Sequence, residues 1–367
     1  MPQSTQQSCW ILLDTRDEKD LPILAKSPHI SKGGSLVQTV KNAYSQAIAT
    51  EVVEKMTAAV AQLREVVKSG TVIEHRIESA LSSGKGDLRM ALAPVVGPTR
   101  SLDALHVWLG NGSFKTLETP LAVSFTWDAH KRIGELLPPS VGFPGHPDVA
   151  SWRSTFTSPD FHRYLRVQDM LGVVEAMVAP EYSDTAWVGS ATIRDTALPL
   201  TVNVSMIVDE GKGQGHWRGL VHALTDVVEP VPVASTLELA ALDALARVSE
   251  RHVVLLDISK MRLIDWVTDP VPGIQWKGRV DQRDTPHPDD VVRIFEMAGE
   301  VLTGKTDRGT VESIRLRRRG GGWTVVNATG AVIKSGGPKL AMIEFEVVGY
   351  SDEPDPVPPT DEGHPGL

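Results

Sequence analysis

The chain has 367 residues, 41% hydrophobic and 23% charged, enough for about two or three domains with cores and unlike a disordered chain. Its formal net charge of -9 argues against a general nucleic-acid binder. The single cysteine, Cys9, excludes an internal disulfide framework and a cysteine zinc cluster, and the longest apolar runs (Cys9–Leu13, Val253–Leu256) fall far short of the ~20 residues that cross a bilayer.

The opening residues, Met1–Ser8, are polar and uncharged and lack a signal-peptide pattern, so a cytoplasmic protein without membrane insertion is expected. Three stretches then begin alike, with an apolar strand, an Asp, a polar turn and a second apolar run. They are Cys9–Asp14 with Leu21–Leu24, Val123–Asp128 with Ile133–Leu137, and Val253–Asp257 with Leu263–Val267. Asp suits such a turn because its carboxylate accepts a backbone N–H two residues on.

A helical or loop-rich middle follows each opening. Val52, Met56, Val60, Leu63 and Val67 recur at helical spacing, and Gly70 marks the stop. Phe161 to Met177 reads as helical between Pro159 and Pro180. Val291 to Leu302 reads as a helix started by Pro288, Asp289 and Asp290, which suit the first turn and its positive dipole end.

Each stretch closes in strands. Leu88–Ala93 and Leu105–Leu109 flank the turn residues Gly97, Pro98 and Thr99. Leu200, Val202, Val204, Met206 and Val208 alternate with polar residues, and Gly211–Gly215 turns the chain into Trp217–Leu224. Trp323–Ala328 and Ala341–Val347 flank Gly336, Gly337 and Pro338, with Glu344 and Glu346 opposite Ala341, Ile343, Phe345 and Val347. The fold class expected is α+β, with three tandem modules, each an antiparallel sheet flanked by helices, over residues 5–116, 118–230 and 236–350. The third carries a leading helix whose stripe of Leu237, Ala241, Ala244 and Val248 either docks on its own sheet or forms a partner-binding or homodimer face. Residues 351–367 are acidic and Pro-rich and read as a disordered tail.

Few motifs carry chemistry. Gly299–Thr306 matches a P-loop letter for letter, but the mechanism needs a strand before the loop and a helix after it, and here a helix precedes and a strand follows. Gly211–Gly215 resembles part of a dinucleotide fingerprint but reads as a hairpin loop. The 11 histidines are scattered, without the i, i+4 pairing and carboxylate of a helical metal site, so no metal is expected. No nucleophile elbow is present, and the chain reads as a non-enzyme. Arg315, Arg317, Arg318 and Arg319 form one basic cluster, a solvated strand face or a site for phosphate or an acidic partner. Trp266, Trp276, Phe295 and Trp323 either line a pocket between sheet and helix or are plain core.

Residues 240–350 resemble a PAS domain. Thr285–Asp290 is similar to the His-Pro-Asp-Asp segment that opens the long helix, and Ile314–Arg319 with Gly322–Trp323 is similar to the strand pair that follows. Ala328–Gly330 and Ala341–Phe345 fit the last strands, while Pro94–Pro98 before a strand is also seen in GAF domains. The three-module chain resembles actinobacterial, mycobacterial-type PAS–GAF fusion proteins that lack an output domain. The resemblance implies a sensory or regulatory protein in which an unidentified small molecule or signalling protein shifts how modules pack. The alternatives are a protein-binding adaptor with filled cores and, more remotely, a nucleotide-binding enzyme using Gly299–Thr306. No cofactor is specified. The helix carrying Phe295 has no Cys for flavin photochemistry and no His for haem ligation.

Overall fold

The computed structural model describes residues 9–16, 21–26, 35–69, 77–82, 87–111, 122–137, 154–158, 161–162, 165–167, 172–174, 177, 187–193, 200–209, 211–213, 215–223, 244, 248, 251–258, 262–275, 285–333 and 340–356. They fall in two compact units, residues 1–156 with 163–234, and residues 157–162 with 235–367. The fold is α+β, with three antiparallel sheets.

In the first unit, β1 (Cys9–Asp14), β2 (Ile23–Lys26), β3 (Ile77–Ala80), β4 (Leu88–Val96) and β5 (Leu102–Asn111) form a sheet in the order β2-β1-β5-β4-β3. Two helices, α1 (Leu36–Ala43) and α2 (Gln46–Ser69), lie between β2 and β3 in sequence. Ser35 caps α1 by accepting the Gln38 N–H at 3.3 Å, which satisfies one of the orphan donors of the first turn. The stripe read from the sequence, Val52, Met56, Val60, Leu63 and Val67, is the buried face of α2, and its first four residues pack with Ile11, Leu13, Met90, Leu92, Leu105 and Val107. The sheet's other face (Trp10, Leu12, Ala91, Ala104, Trp108) packs with Leu220 of the second sheet. Covered on both faces, β1 is buried at every position, which is why its sequence is a continuous apolar run and not an alternation.

The second sheet runs β8 (Thr155–Thr157), β7 (Ile133–Leu136), β6 (Ala122–Asp128), β12 (His216–Ala223), β11 (Leu200–Val208), β10 (Trp187–Ile193) and β9 (Leu165–Val167). Its five inner strands repeat the first sheet's order. The reading of Phe161 to Met177 as helical needs correction. Residues 161–162, 172–174 and 177 are helical, but Leu165–Val167 is a strand pairing Leu165 with Ile193 and Val167 with Ala191. The row of unpaired backbone groups on β10 outweighs local propensity there. Gly211–Gly215 falls in the turn joining β11 to β12, with Gly213 and Gly215 at positive φ, and no helix follows it.

In the second unit, β13 (His252–Asp257), β14 (Arg262–Trp266), β15 (Arg308–Arg317), β16 (Trp323–Val332) and β17 (Leu340–Ser351) take the order β14-β13-β17-β16-β15, again with a helix, α3 (Pro288–Leu302), before the third strand. Val271, Ile274, Ile314, Leu316, Val326 and Ala328 form its core. Glu344 and Glu346, on one face of β17, both pair with Arg251, at 3.2 and 3.0 Å. The outer edge of β15 is covered: His287 N–H donates to Arg315 O, Arg317 N–H to Thr285 O and Gln275 N–H to Arg317 O, each at 2.8 Å.

Gly299–Thr306 takes the form its flanking elements imply, and one other sequence reading changes. Gly299 lies inside α3, and the N–H groups of Thr303, Gly304 and Lys305 satisfy the last carbonyls of that helix (on Gly299, Val301 and Glu300, at 3.0–3.1 Å). Lys305 pairs with Glu300. Gly299–Thr306 is therefore a helix end and turn with its donors already spent, not a phosphate cradle. The tail read as disordered from residue 351 is instead seated on β15 and β16 through residue 355, as described below, and residues 357–367 lie outside the described residues.

Candidate functional site

The first unit holds a buried polar seam where its two sheets meet. The register between β4 and β5 shifts between Val95 and Val96, which pair with Ala104 and Leu102 and leave Asp103 as the extra residue. A bulge of this kind re-aims a side chain, and here the carboxylate of Asp103 reaches the second sheet. Asp103, fully buried, accepts hydrogen bonds from Ser101 Oγ at 2.8 Å, from Ser124 Oγ on β6 and from the guanidinium of Arg218 on β12. Gly97 sits directly against that carboxylate, because a Cβ at this position would overlap it.

The seam is reciprocal. Arg16 Nη1 donates to Arg218 O and Arg218 Nη1 donates to Arg16 O, both at 3.1 Å. Arg16 is held for this by a two-pronged bond to Asp14, at 2.9 and 2.7 Å, and its own N–H donates to Asp14 Oδ1 at 3.0 Å. That last bond is the Asp turn expected from the repeat, and Asp128 makes the same turn with the N–H of His130 at 2.9 Å. Asp14 thus serves first as a turn former and then, through Arg16, as part of the junction.

A second polar pair lies nearby in the same unit. His106 on β5 is buried and stacks on Trp108 with ring centroids 5.1 Å apart. Burial, with a smaller contribution from the charge of His222 on β12, pushes its pKa down to about 3. The ring is therefore neutral at physiological pH. Cys9 is equally enclosed: burial pushes its thiol up to about 11, so it is a core residue without thiolate reactivity.

These features can hold one packing of two sheets, but they do not assemble a catalytic constellation. Among the described residues, no group of three or more His, Cys, Asp or Glu is placed to hold a metal ion, and no helix is long and apolar enough to cross a membrane.

Residues 237–341 match the family described as Rv3651-like, C-terminal domain. The match takes in the second unit from before β13 to the start of β17. A crystal structure of an uncharacterised protein from Mycobacterium tuberculosis has a similar fold, with a TM-score of 0.59 at 16% identity over 92% of this chain and 95% of that one. At such identity the likeness is one of fold alone. An RNA-binding light–oxygen–voltage receptor aligns over 62% of this chain and 95% of its own at 11% identity, but its TM-score of 0.22 supports no argument. No curated protein matches the chain.

The residues singled out from the sequence fall in the second unit, and the structure does not bring the aromatic ones together. Trp323, at the start of β16, is fully buried, and its Nε1 donates to Glu353 O at 2.9 Å. Trp266 lies against Phe345, with centroids 6.0 Å apart. Its row runs through Val254 and Ile343 to Gly330 on β16, which places it roughly 20 Å along the strand from Trp323 at ~3.3 Å per residue. Phe295 is 54% exposed on α3, and Trp276 lies outside the described residues. The three described aromatics therefore do not line one pocket: two are core and one faces water. Of the helical stripe, Ala244 and Val248 are helical and exposed, while Leu237 and Ala241 lie outside the described residues.

The basic cluster is the predicted set with the richest geometry. Arg315 donates from Nε and Nη2 to Asp290 at 2.9 and 3.2 Å and from Nη1 to Glu353 at 2.7 Å. Arg317 pairs with Asp355, and its guanidinium lies 4.7 Å from the Trp323 ring centroid. Arg318 lies over Tyr350 at 5.0 Å, and Arg319 is exposed. Asp290 is the only buried residue of α3. Burial would raise its pKa, but the hydrogen bonds and charge of Arg315 outweigh that and hold it below the ordinary carboxylate range. His287, the helix N-cap, accepts the Asp289 N–H at 3.2 Å and packs edge-on against Trp323 at 4.7 Å.

Proposed function

We propose that this chain is a cytoplasmic sensory or regulatory protein without catalysis of its own, built from PAS/GAF-like modules. It binds a small molecule or a partner protein and passes the event on as a change in packing between modules. Three sheets of one strand order, with helices before the third strand in the first and last, support the modular reading. The observation that carries the signalling part is the Asp103–Ser124–Arg218 seam. Two sheets joined by buried ionic and hydrogen-bonded groups have a register in which the Asp103 carboxylate meets Ser101, Ser124 and Arg218. Any other register leaves buried charge unpaired, so the junction favours discrete packings over gradual sliding. The adaptor reading has its own support, because Trp127, Trp217 and Trp323 are fully buried core, and Trp127 and Trp323 spend their N–H groups on backbone carbonyls.

The test is native mass spectrometry of freshly purified protein against its denatured mass, followed by hydrogen exchange across β1, β5 and β12. Excess mass lost on denaturation, with altered exchange at those strands when the bound compound is removed, is the expected result. A clean mass moves the assignment to the adaptor. A bound compound whose removal leaves exchange at the seam unchanged overturns transmission through it.

A further inference from the structure

The Arg315–Arg317–Trp323 shelf is covered by an acidic piece of the same chain. Beyond Tyr350 the sequence reads Ser351-Asp352-Glu353-Pro354-Asp355-Pro356. Glu353 and Asp355 are two residues apart, the spacing that puts side chains on one side of an extended segment. Both carboxylates meet arginines, Glu353 on Arg315 and Asp355 on Arg317, while the backbone carbonyl of Glu353 accepts from Trp323 Nε1. His287 Nε2 lies 3.9 Å from the second Glu353 oxygen.

The two halves of this contact differ in burial. The Arg317 side chain is 7% exposed and Trp323 is 1% exposed, whereas the covering Glu353 and Asp355 side chains are 45% and 33% exposed. A buried guanidinium and indole are thus enclosed by an exposed, removable strap. Two guanidiniums and a ring N–H aimed at carboxylates and a carbonyl are recognition chemistry for an extended acidic peptide.

We infer that this shelf is a binding site for an extended acidic peptide segment with carboxylates two residues apart, and that residues 351–355 occupy it in cis. A protein partner carrying such a segment would displace the strap. The inference does not depend on whether any module holds a small molecule. A short tether gives the strap an effective concentration in the mM range, so it masks the shelf from dilute peptide in solution.

The experiment uses the full chain and a fluorescent peptide of residues 351–358. Fluorescence anisotropy compares the unaltered chain with the Glu353→Gln/Asp355→Asn variant, whose changes lie on the exposed strap. The variant is expected to bind the peptide about tenfold or more tighter than the unaltered chain, by the loss of cis competition. That binding should weaken with salt and vanish on adding Arg317→Ala. A Glu353→Lys/Asp355→Lys chain should open the shelf in the same way, which keeps the test valid if the first variant folds poorly. Equal binding by open and unaltered chains, no binding by either open variant, or binding that survives Arg317→Ala would each overturn the assignment.

Discussion

Replacing Asp103 by Ala removes the acceptor shared by Ser101, Ser124 and Arg218 and leaves the Arg218 guanidinium, 17% exposed, without its carboxylate. Breaking a buried pair on one side costs about 3–5 kcal/mol, because the remaining charge stays desolvated. For a unit of this size each kcal/mol lowers Tm by about 2–4 °C, so a drop of roughly 6–20 °C is expected. The assay is thermal and urea unfolding of four chains: unaltered, Asp103→Ala, Arg218→Met, and Asp103→Leu/Arg218→Met. Removing both charges together should recover most of the loss, because a matched apolar pair is often as stable as the ionic one. The reasoning fails if Asp103→Ala costs less than about 1 kcal/mol, or if the double variant loses the sum of the singles.

Further outcomes follow from neighbouring residues. Gly97→Ala should destabilise the first unit by about 1–3 kcal/mol, since its Cβ displaces the Asp103 carboxylate, and combining it with Asp103→Ala should cost less than the sum. His106 is neutral in the fold down to a pKa of about 3 but takes up a proton near pH 6.5 when unfolded. Its contribution is therefore complete above pH 6.5 and lost as pH falls toward 3, at up to about 1.4 kcal/mol per pH unit. In urea titrations from pH 7 to 4, His106→Phe should show a shallower loss than the unaltered chain, and parallel curves would contradict the assignment. Asp290→Asn should cost about 1.5–3 kcal/mol through the bonds from Arg315. Because the folded pKa of Asp290 is lowered, the stability it supplies is present above the ordinary carboxylate range and lost as pH falls through the folded value, so the Asn chain should lack that acid-side decline.

Much of the architecture could be read locally. The three apolar-strand-plus-Asp openings became β1, β6 and β13, and the carboxylates of Asp14 and Asp128 accept the backbone N–H two residues on. The stripe from Val52 to Val67 is the buried face of α2, and on β17 Ile343, Phe345 and Val347 pack on the core while Glu344 and Glu346 pair with Arg251. The His-Pro-Asp-Asp segment starts α3 with His287 as its cap. Periodicity and turn chemistry act over a few residues, so the sequence by itself determines such elements. It could not determine which residues would meet. Asp103 gained its role from a one-residue register shift and from an arginine 115 positions away. The four arginines read as one basic patch, yet two of them are spent on Asp290 and on the acidic strap. Trp266 and Trp323, read as lining one pocket or as plain core, were separated by strand register, and the strand at Leu165–Val167 exists because β10 offers it an edge. Contacts between distant positions leave no local pattern, and only the closing of each sheet decides which buried polar group finds a partner.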